Sequence, residues 1–225
     1  MSEPGPTDLT PITVADGHAR FVPDLPVSAA VRDLHESRYA WVTTTFDLAG
    51  TRVLDLGCGS GYGARHLASV ASEVVAADVS AAAVAYAAHR YPAANVRPVL
   101  LDPADPLGAA PGIAPVDLVM SAEVLEHVRN PFAHVADIAS VLAEDGVAVV
   151  CTPNRWFRYT SNRGGLLDPS HVMEFTPDAL VGLLAGWFTR VELWFQVWPL
   201  ASATPATPRG LPRRVARGAR RVAGD

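Results

Sequence analysis

The chain has no lysine; all 18 of its basic residues are arginine. It has two cysteines, Cys58 and Cys151, too few for a disulfide framework. No apolar run approaches the roughly 18 residues that a membrane-spanning helix needs. Residues 1–10 are acidic and Pro-rich without an apolar h-region, so no secretory signal is expected and a cytoplasmic protein is. Basic charge is scarce outside one place: residues 209–225 hold six arginines and one aspartate, although the formal net charge of the whole chain is −5. An acidic body of this kind argues against nucleic acid as the main partner. No internal repeat is visible. With 225 residues, 49% of them hydrophobic, the chain can bury a full core as one domain.

The organising stretch is residues 52–63, Arg-Val-Leu-Asp-Leu-Gly-Cys-Gly-Ser-Gly-Tyr-Gly. A short apolar run, Val53, Leu54 and Leu56, reads as a buried parallel strand. It breaks into glycines at 57, 59, 61 and 63, and residues 62–70 then show helical spacing of apolar side chains. Strand, Gly-rich turn and helix together suit a nucleotide-type ligand, because missing Cβ atoms let it approach the backbone. A purely structural turn needs one such glycine or two; four at alternate positions argue for a ligand. The dinucleotide fingerprint has a different glycine spacing. Here Asp55 sits two residues before the first glycine, and an acid inside the turn suits an ammonium better than a pyrophosphate.

Alternation of strands and helices continues along the chain and predicts an α/β fold: a doubly wound, mostly parallel sheet with helices on both faces. Five prolines make a regular element unexpected before Val27. Ser28 is placed to cap a helix reaching about Phe46, and this helix is expected either to pack on the sheet edge or to form a lid. Residues 73–78 read as a second strand ending on Asp78, 21 residues after Gly57. That position suits a carboxylate accepting ribose hydroxyls; the alternative is an N-cap for a helix over residues 80–90. Residues 95–101 read as the third strand and 116–120 as the fourth. Asn130 and Pro131 open a helix that runs to Leu142 and is closed by Gly146 as a helix stop. A fifth strand follows over residues 147–151. Residues 153–175 form an aromatic, Arg-containing insertion expected to close over a ligand. Thr176 and Pro177 start the last helix, and residues 188–198 read as a sixth strand; a seventh is not evident. The domain is thus expected over residues 28–198, between an irregular leader (1–27) and a basic tail (199–225). Leu211, Val215 and Val222 would let that tail touch anionic lipid as an amphipathic helix, but a solvated, disordered tail is favoured.

Glu123, Glu126 and His127 have the spacing of one helical face. Two carboxylates and an imidazole there would suit a divalent metal, or His127 would act alone as a general base. His171, on a loop returning over the same mouth of the sheet, is the second candidate base.

The glycine stretch, Leu-Asp-Leu-Gly-Cys-Gly-Ser-Gly, resembles the first motif of class I S-adenosylmethionine (SAM) dependent methyltransferases. Glu-Val-Leu-Glu-His-Val at 123–128, Asp-Gly at 145–146, Thr-Pro-Asn-Arg at 152–155 and His-Val-Met-Glu-Phe-Thr-Pro at 171–177 are similar to the ubiquinone-biosynthesis type of O-methyltransferase and its relatives. Phe-Val-Pro at 21–23 and His-Glu-Ser-Arg-Tyr at 35–39 resemble the leader of bacterial methyltransferases found with glycan or natural-product genes. The resemblance covers about residues 18–198 and implies a Rossmann-like fold with SAM as donor. By it the donor site comprises Arg38, Asp55, Gly57, Cys58, Gly59, Gly61, Asp78, Val79, Asp102, Pro103, Ser121 and Glu123. Arg38 would take the SAM carboxylate and Asp102 the adenine amino group. Pro103 departs from the family's Asp-Ala and removes a backbone donor unless Ala104 supplies it. In the ubiquinone type the matching Glu, Glu and His are associated with metal, and Mg²⁺ there would lower the pKa of a hydroxyl acceptor. The metal-free reading, with Glu126 structural and His127 on substrate or donor, is favoured. The implied activity is methylation of a small molecule, foremost at a hydroxyl oxygen of a sugar, aromatic or other natural-product scaffold. The alternatives are N-methylation of an amino sugar or amine, and a SAM-binding module without turnover.

Overall fold

The computed structural model describes residues 20–23, 25–113, 115–158 and 170–196. The expected tail and most of the expected leader lie outside them, as do residues 159–169 of the insertion. No helix among the described residues is long and apolar enough to cross a membrane.

Five strands form one sheet in the order β3-β2-β1-β4-β5: β1 (Arg52–Leu56), β2 (Glu73–Asp78), β3 (Val96–Leu100), β4 (Val116–Ala122) and β5 (Leu142–Cys151). Every pairing is parallel. The helices are α1 (Ala29–Thr45), α2 (Tyr62–Leu67), α3 (Ala81–Arg90), α4 (Pro131–Val141) and α5 (Pro177–Ala185). The expected doubly wound α/β architecture is therefore present. Its strand order reverses between β1 and β4, where such sheets place ligands beyond the strands' C-terminal ends.

Alternation along β1 divides the core. Val53 points into a cluster with Tyr39 and Val42 of α1 and Leu67 of α2, whereas Leu54 and Leu56 join Ile138 and Val141 of α4 on the opposite face. Pro98 is tolerated because β3 is an edge strand. Three of the long helices start at the side-chain cap expected of them, Ser28, Asn130 and Thr176, and α3 starts at Ser80; these accept from the backbone N–H groups of Val31, Ala133, Ala179 and Ala83 at 3.1–3.3 Å.

Four expectations change. The helix after the glycine turn ends at Leu67 and not at Val70, continuing only as turns. Gly146 is not a helix stop: the chain becomes extended at Leu142 (φ −73°, ψ 143°), and β5 starts there with an irregularity between the pairs Val116–Leu142 and Leu118–Val147. Residues 123–128 are not helical; only Leu125–His127 form a 3-10 turn. The sixth strand is not formed among the described residues, because residues 190–196 are held by side chains instead of a backbone ladder. Gln196 Nε2 donates to Leu34 O and to Ser37 Oγ, both at 2.8 Å, and Trp194 packs against Trp41 at 5.5 Å.

Candidate active site

The turn after β1 is pinned to β2, since Gly57 N and Cys58 N both donate to Ala77 O, at 2.8 and 3.0 Å. This places Asp78 beside the turn. Its Oδ2 accepts from Gly59 N and its Oδ1 from Ser80 N, both at 2.9 Å. Ser80, and not Asp78, caps α3. One further group, which sequence reasoning missed, reaches the same carboxylate: Arg20 Nη2 lies 3.7 Å from Asp78 Oδ1. The leader is held there by Ser60 Oγ donating to Phe21 O at 2.9 Å and by Phe21 stacked on His35 at 4.1 Å.

The glycines divide by role. Gly59 sits at φ +54°, and a Cβ on it would meet only Arg20 Cδ, 3.8 Å away, so the space above it is open to a ligand. A Cβ on Gly63 would overlap the ring of Tyr39; this glycine admits a tyrosine of α1 and not a ligand. That close approach lets the Tyr39 hydroxyl donate to Asp55 Oδ1 at 3.1 Å. Asp55 is fully buried and its Oδ2 has no partner. Burial pushes its pKa up to about 7; the Tyr39 hydrogen bond opposes the shift and the Asp78 charge adds to it. Burial likewise pushes the Cys58 thiol well up, so it is a packing group.

Val79, immediately after Asp78, is 56% exposed. Asp102 is exposed and accepts from Ala104 N at 2.9 Å. This self-contained turn after Pro103 uses the N–H that Ala104 was expected to offer to adenine. Ser121 is fully buried, its hydroxyl 3.4 Å from His134 Nε2, so it faces the interior and not a ligand.

Glu123 is the one described non-glycine residue with positive φ, +56°. The kink turns it toward α1, where Arg38 Nη2 lies 3.4 Å from its Oε1. Burial raises its pKa against the pull of Arg38. The expected trio of Glu123, Glu126 and His127 therefore does not share a helical face. The groups that converge are Glu126, His127 and His171, whose candidate ligand atoms lie within 4.8 Å of one another. One carboxylate with two imidazoles suits a transition-metal ion better than Mg²⁺, which takes oxygen ligands.

Glu126 is fully buried; its Oε2 accepts from Thr152 Oγ1 at 3.0 Å and its Oε1 has no partner. Burial, with the nearby Glu123 charge, pushes its pKa up to about 8. Its backbone oxygen accepts from Val172 N and Met173 N, at 2.8 and 3.2 Å, which brings the second histidine in. The rings of His127 and His171 meet edge to face at 5.0 Å. His127 Nδ1 lies 3.2 Å from Ser170 O and His171 Nδ1 lies 2.9 Å from Glu174 Oε1. Both contacts favour the tautomer protonated at Nδ1, leaving Nε2 to accept a proton. Glu174, whose side chain is only 1% exposed, stands inside the motif at 171–177, yet nothing in the spacing distinguished it from a surface acid.

A methyltransferase-domain family model matches residues 14–201. A probable S-adenosylmethionine-dependent methyltransferase of Mycobacterium tuberculosis is 32% identical over 181 residues, 80% of this chain and 63% of that protein. A ubiquinone biosynthesis O-methyltransferase of Thiobacillus denitrificans is 35% identical over 127 residues, 56% of this chain and 54% of its own. The chain thus spans between half and two thirds of the length of these curated relatives. Among solved structures, magnesium protoporphyrin IX methyltransferase from Synechocystis superposes with a TM-score of 0.58 at 19% identity, over 74% of this chain and 81% of that one. The N-methyltransferase NodS of Bradyrhizobium japonicum superposes with a TM-score of 0.55 at 19% identity, over 71% and 77%. The family model spans the whole described sheet together with the glycine turn and both histidines, and the chain belongs to the methyltransferase-domain family.

Proposed function

We propose that this chain is a SAM-dependent methyltransferase that methylates a hydroxyl oxygen of a small-molecule acceptor. The observation that carries the reading is the pair of buried acids flanking the glycine turn. Asp55 holds an unpartnered carboxylate oxygen, and Asp78 is oriented by two backbone N–H groups. An orphaned buried carboxylate oxygen fits an ammonium, and an oriented carboxylate at the end of β2 fits a pair of ribose hydroxyls. Val79 would offer an apolar face to adenine, and Arg38, now shared among Gln196, His35 and Glu123, would turn to the donor's carboxylate in this reading.

SAM brings an electrophilic methyl group, so the chain needs no side-chain nucleophile and contributes positioning and removal of one proton. His171 is the base in this reading. Glu174 holds its Nδ1–H, and Nε2 takes the hydroxyl proton as the oxygen gains the methyl. His127 packs on that ring and limits its rotation. Burial and the nearby Glu123 charge favour the neutral form of Glu126, which spares the imidazoles a strong neighbouring charge.

N-methylation is the second reading; the solved neighbour NodS is an N-methyltransferase. A SAM-binding module without turnover is the third. Incubation with SAM and a panel of sugars, phenols, aliphatic alcohols and amines, read by mass, separates them. Oxygen methylation with S-adenosylhomocysteine (SAH) release supports the first. Methylation of amines alone supports the second, and SAH binding without any product supports the third.

A further inference from the structure

The Arg38 side chain is only 10% exposed, and its closest polar contacts carry no charge. Nε donates to Gln196 Oε1 at 3.0 Å, and Nη1 donates to His35 Nδ1 at 3.2 Å. A guanidinium can only donate, so His35 Nδ1 accepts and the ring is neutral, with its proton on Nε2. Burial and the Arg38 charge hold the His35 pKa down to about 4, which keeps the ring neutral at pH 7. The acid in reach, Glu123, stands farther off. Its Oε1 lies 3.4 Å from Nη2, beyond the roughly 2.7–2.9 Å of a charge-assisted hydrogen bond. Burial also draws Glu123 toward its neutral form, against the pull of Arg38.

Both neutral partners are themselves fixed. Gln196 Nε2 donates to Leu34 O and Ser37 Oγ, each at 2.8 Å, which turns its amide oxygen toward Arg38. The His35 ring lies flat on Phe21, with centroids 4.1 Å apart and planes 3° apart. A long flexible side chain is thus held at two of its three nitrogens without being neutralised. Ordering it costs side-chain entropy during folding and leaves positive charge for an anion that arrives later. We propose that His35 and Gln196 are positioning residues for the donor: they fix the Arg38 guanidinium so that Nη2 exchanges Glu123 for the carboxylate of SAM. The inference deepens the methyltransferase reading and rests on Arg38 as the carboxylate's partner. Each of the two residues acts through Arg38.

The test measures, by calorimetry on the full chain, the affinities of SAH and of decarboxylated SAH, which keeps the ammonium and lacks only the carboxylate. The parent should prefer SAH by at least about tenfold, the scale of a hydrogen bond to a charged group. Two variants remove the grip on Arg38: Gln196→Ala, and His35→Phe, which keeps a ring on Phe21 but offers no acceptor. Each should weaken SAH at least about fivefold and decarboxylated SAH less than about twofold. His35→Asn, which restores an acceptor without the ring, should bind SAH within about twofold of the parent. In an Arg38→Lys background, which keeps the charge but not the fork, Gln196→Ala should cost less than about twofold further. Equal losses for both ligands would make these residues structural and overturn the inference. So would full SAH affinity in Gln196→Ala and His35→Phe, His35→Asn as weak as His35→Phe, or losses that add to that of Arg38→Lys. A parent that binds both ligands equally overturns it by removing Arg38 from the carboxylate. A parent that binds neither defeats the donor site itself, and the inference with it.

Discussion

The hydroxyl of Tyr39, on α1, donates to Oδ1 of Asp55, inside the first strand, across 3.1 Å. Both residues are buried, and the contact exists because residue 63 has no Cβ. Helix α1 is thereby fastened to the acid proposed for the donor's ammonium. Tyr39→Phe should cost about 1–3 kcal/mol, the range for leaving a buried polar partner unsatisfied. Urea unfolding measures it. A variant as stable as the parent would mean that Asp55 finds another donor.

Asp55 titrates at about 7 in the folded chain, well above an ordinary carboxyl near 3.8. Between these values the native state holds a proton that the unfolded state has lost. The stabilising contribution is therefore complete below about pH 4 and falls as pH rises toward 7, by at most about 1.4 kcal/mol per unit. A donor ammonium needs the carboxylate form, so SAM affinity should rise from pH 5.5 to 7.5 and binding at pH 6 should release protons. Calorimetry in two buffers of different ionisation enthalpy counts them; proton-neutral binding at pH 6 would remove Asp55 from the ammonium's environment.

Arg20 reaches Asp78 from the leader and passes beside Gly59. If ribose hydroxyls are to use Asp78, that cation competes with them. Arg20→Ala should tighten SAH binding by about two- to fivefold, the scale of a partly exposed ion pair. Weaker binding would show that Arg20 belongs to the ligand's own shell.

At the histidine pair, His171→Ala should lower kcat by about 10²–10⁴ with SAH affinity kept. Glu174→Gln should lower it less and alter the pH profile, because the amide no longer stabilises a protonated ring. A chelator should leave the rate unchanged. Complete inhibition by the chelator, reversed by an added divalent ion, would assign Glu126, His127 and His171 to a metal instead.

Much of this was legible in the residues, and what was not has physical causes. The first two strands, the caps Ser28, Asn130 and Thr176, and Asp78 at the end of β2 follow from local chemistry: apolar period, short polar caps, and an acid ending a buried run. Residue spacing failed at Glu123, where one left-handed backbone conformation breaks the helix that the spacing assumed. It failed again at residues 188–196, whose apolar, β-favouring composition suits a strand but whose side chains bond to α1. The alternating glycines read as a ligand turn, but Gly57, Gly61 and Gly63 make room for Val124, Ala87 and Tyr39, and Gly59 alone faces open space. Arg20 and Glu174 carried no local signal, since each acquires its role only through a tertiary contact.

The account's central claim is that the glycine turn and its two acids bind the donor. Titration of SAH into the parent chain and into Asp78→Ala, with thermal unfolding of both, tests it most directly. The parent should bind one SAH per chain. Asp78→Ala should lose at least about tenfold in affinity while its stability falls by only about 1 kcal/mol, the scale of a few lost turn hydrogen bonds. Equal SAH affinity in the two proteins, or no binding by the parent, would contradict the claim.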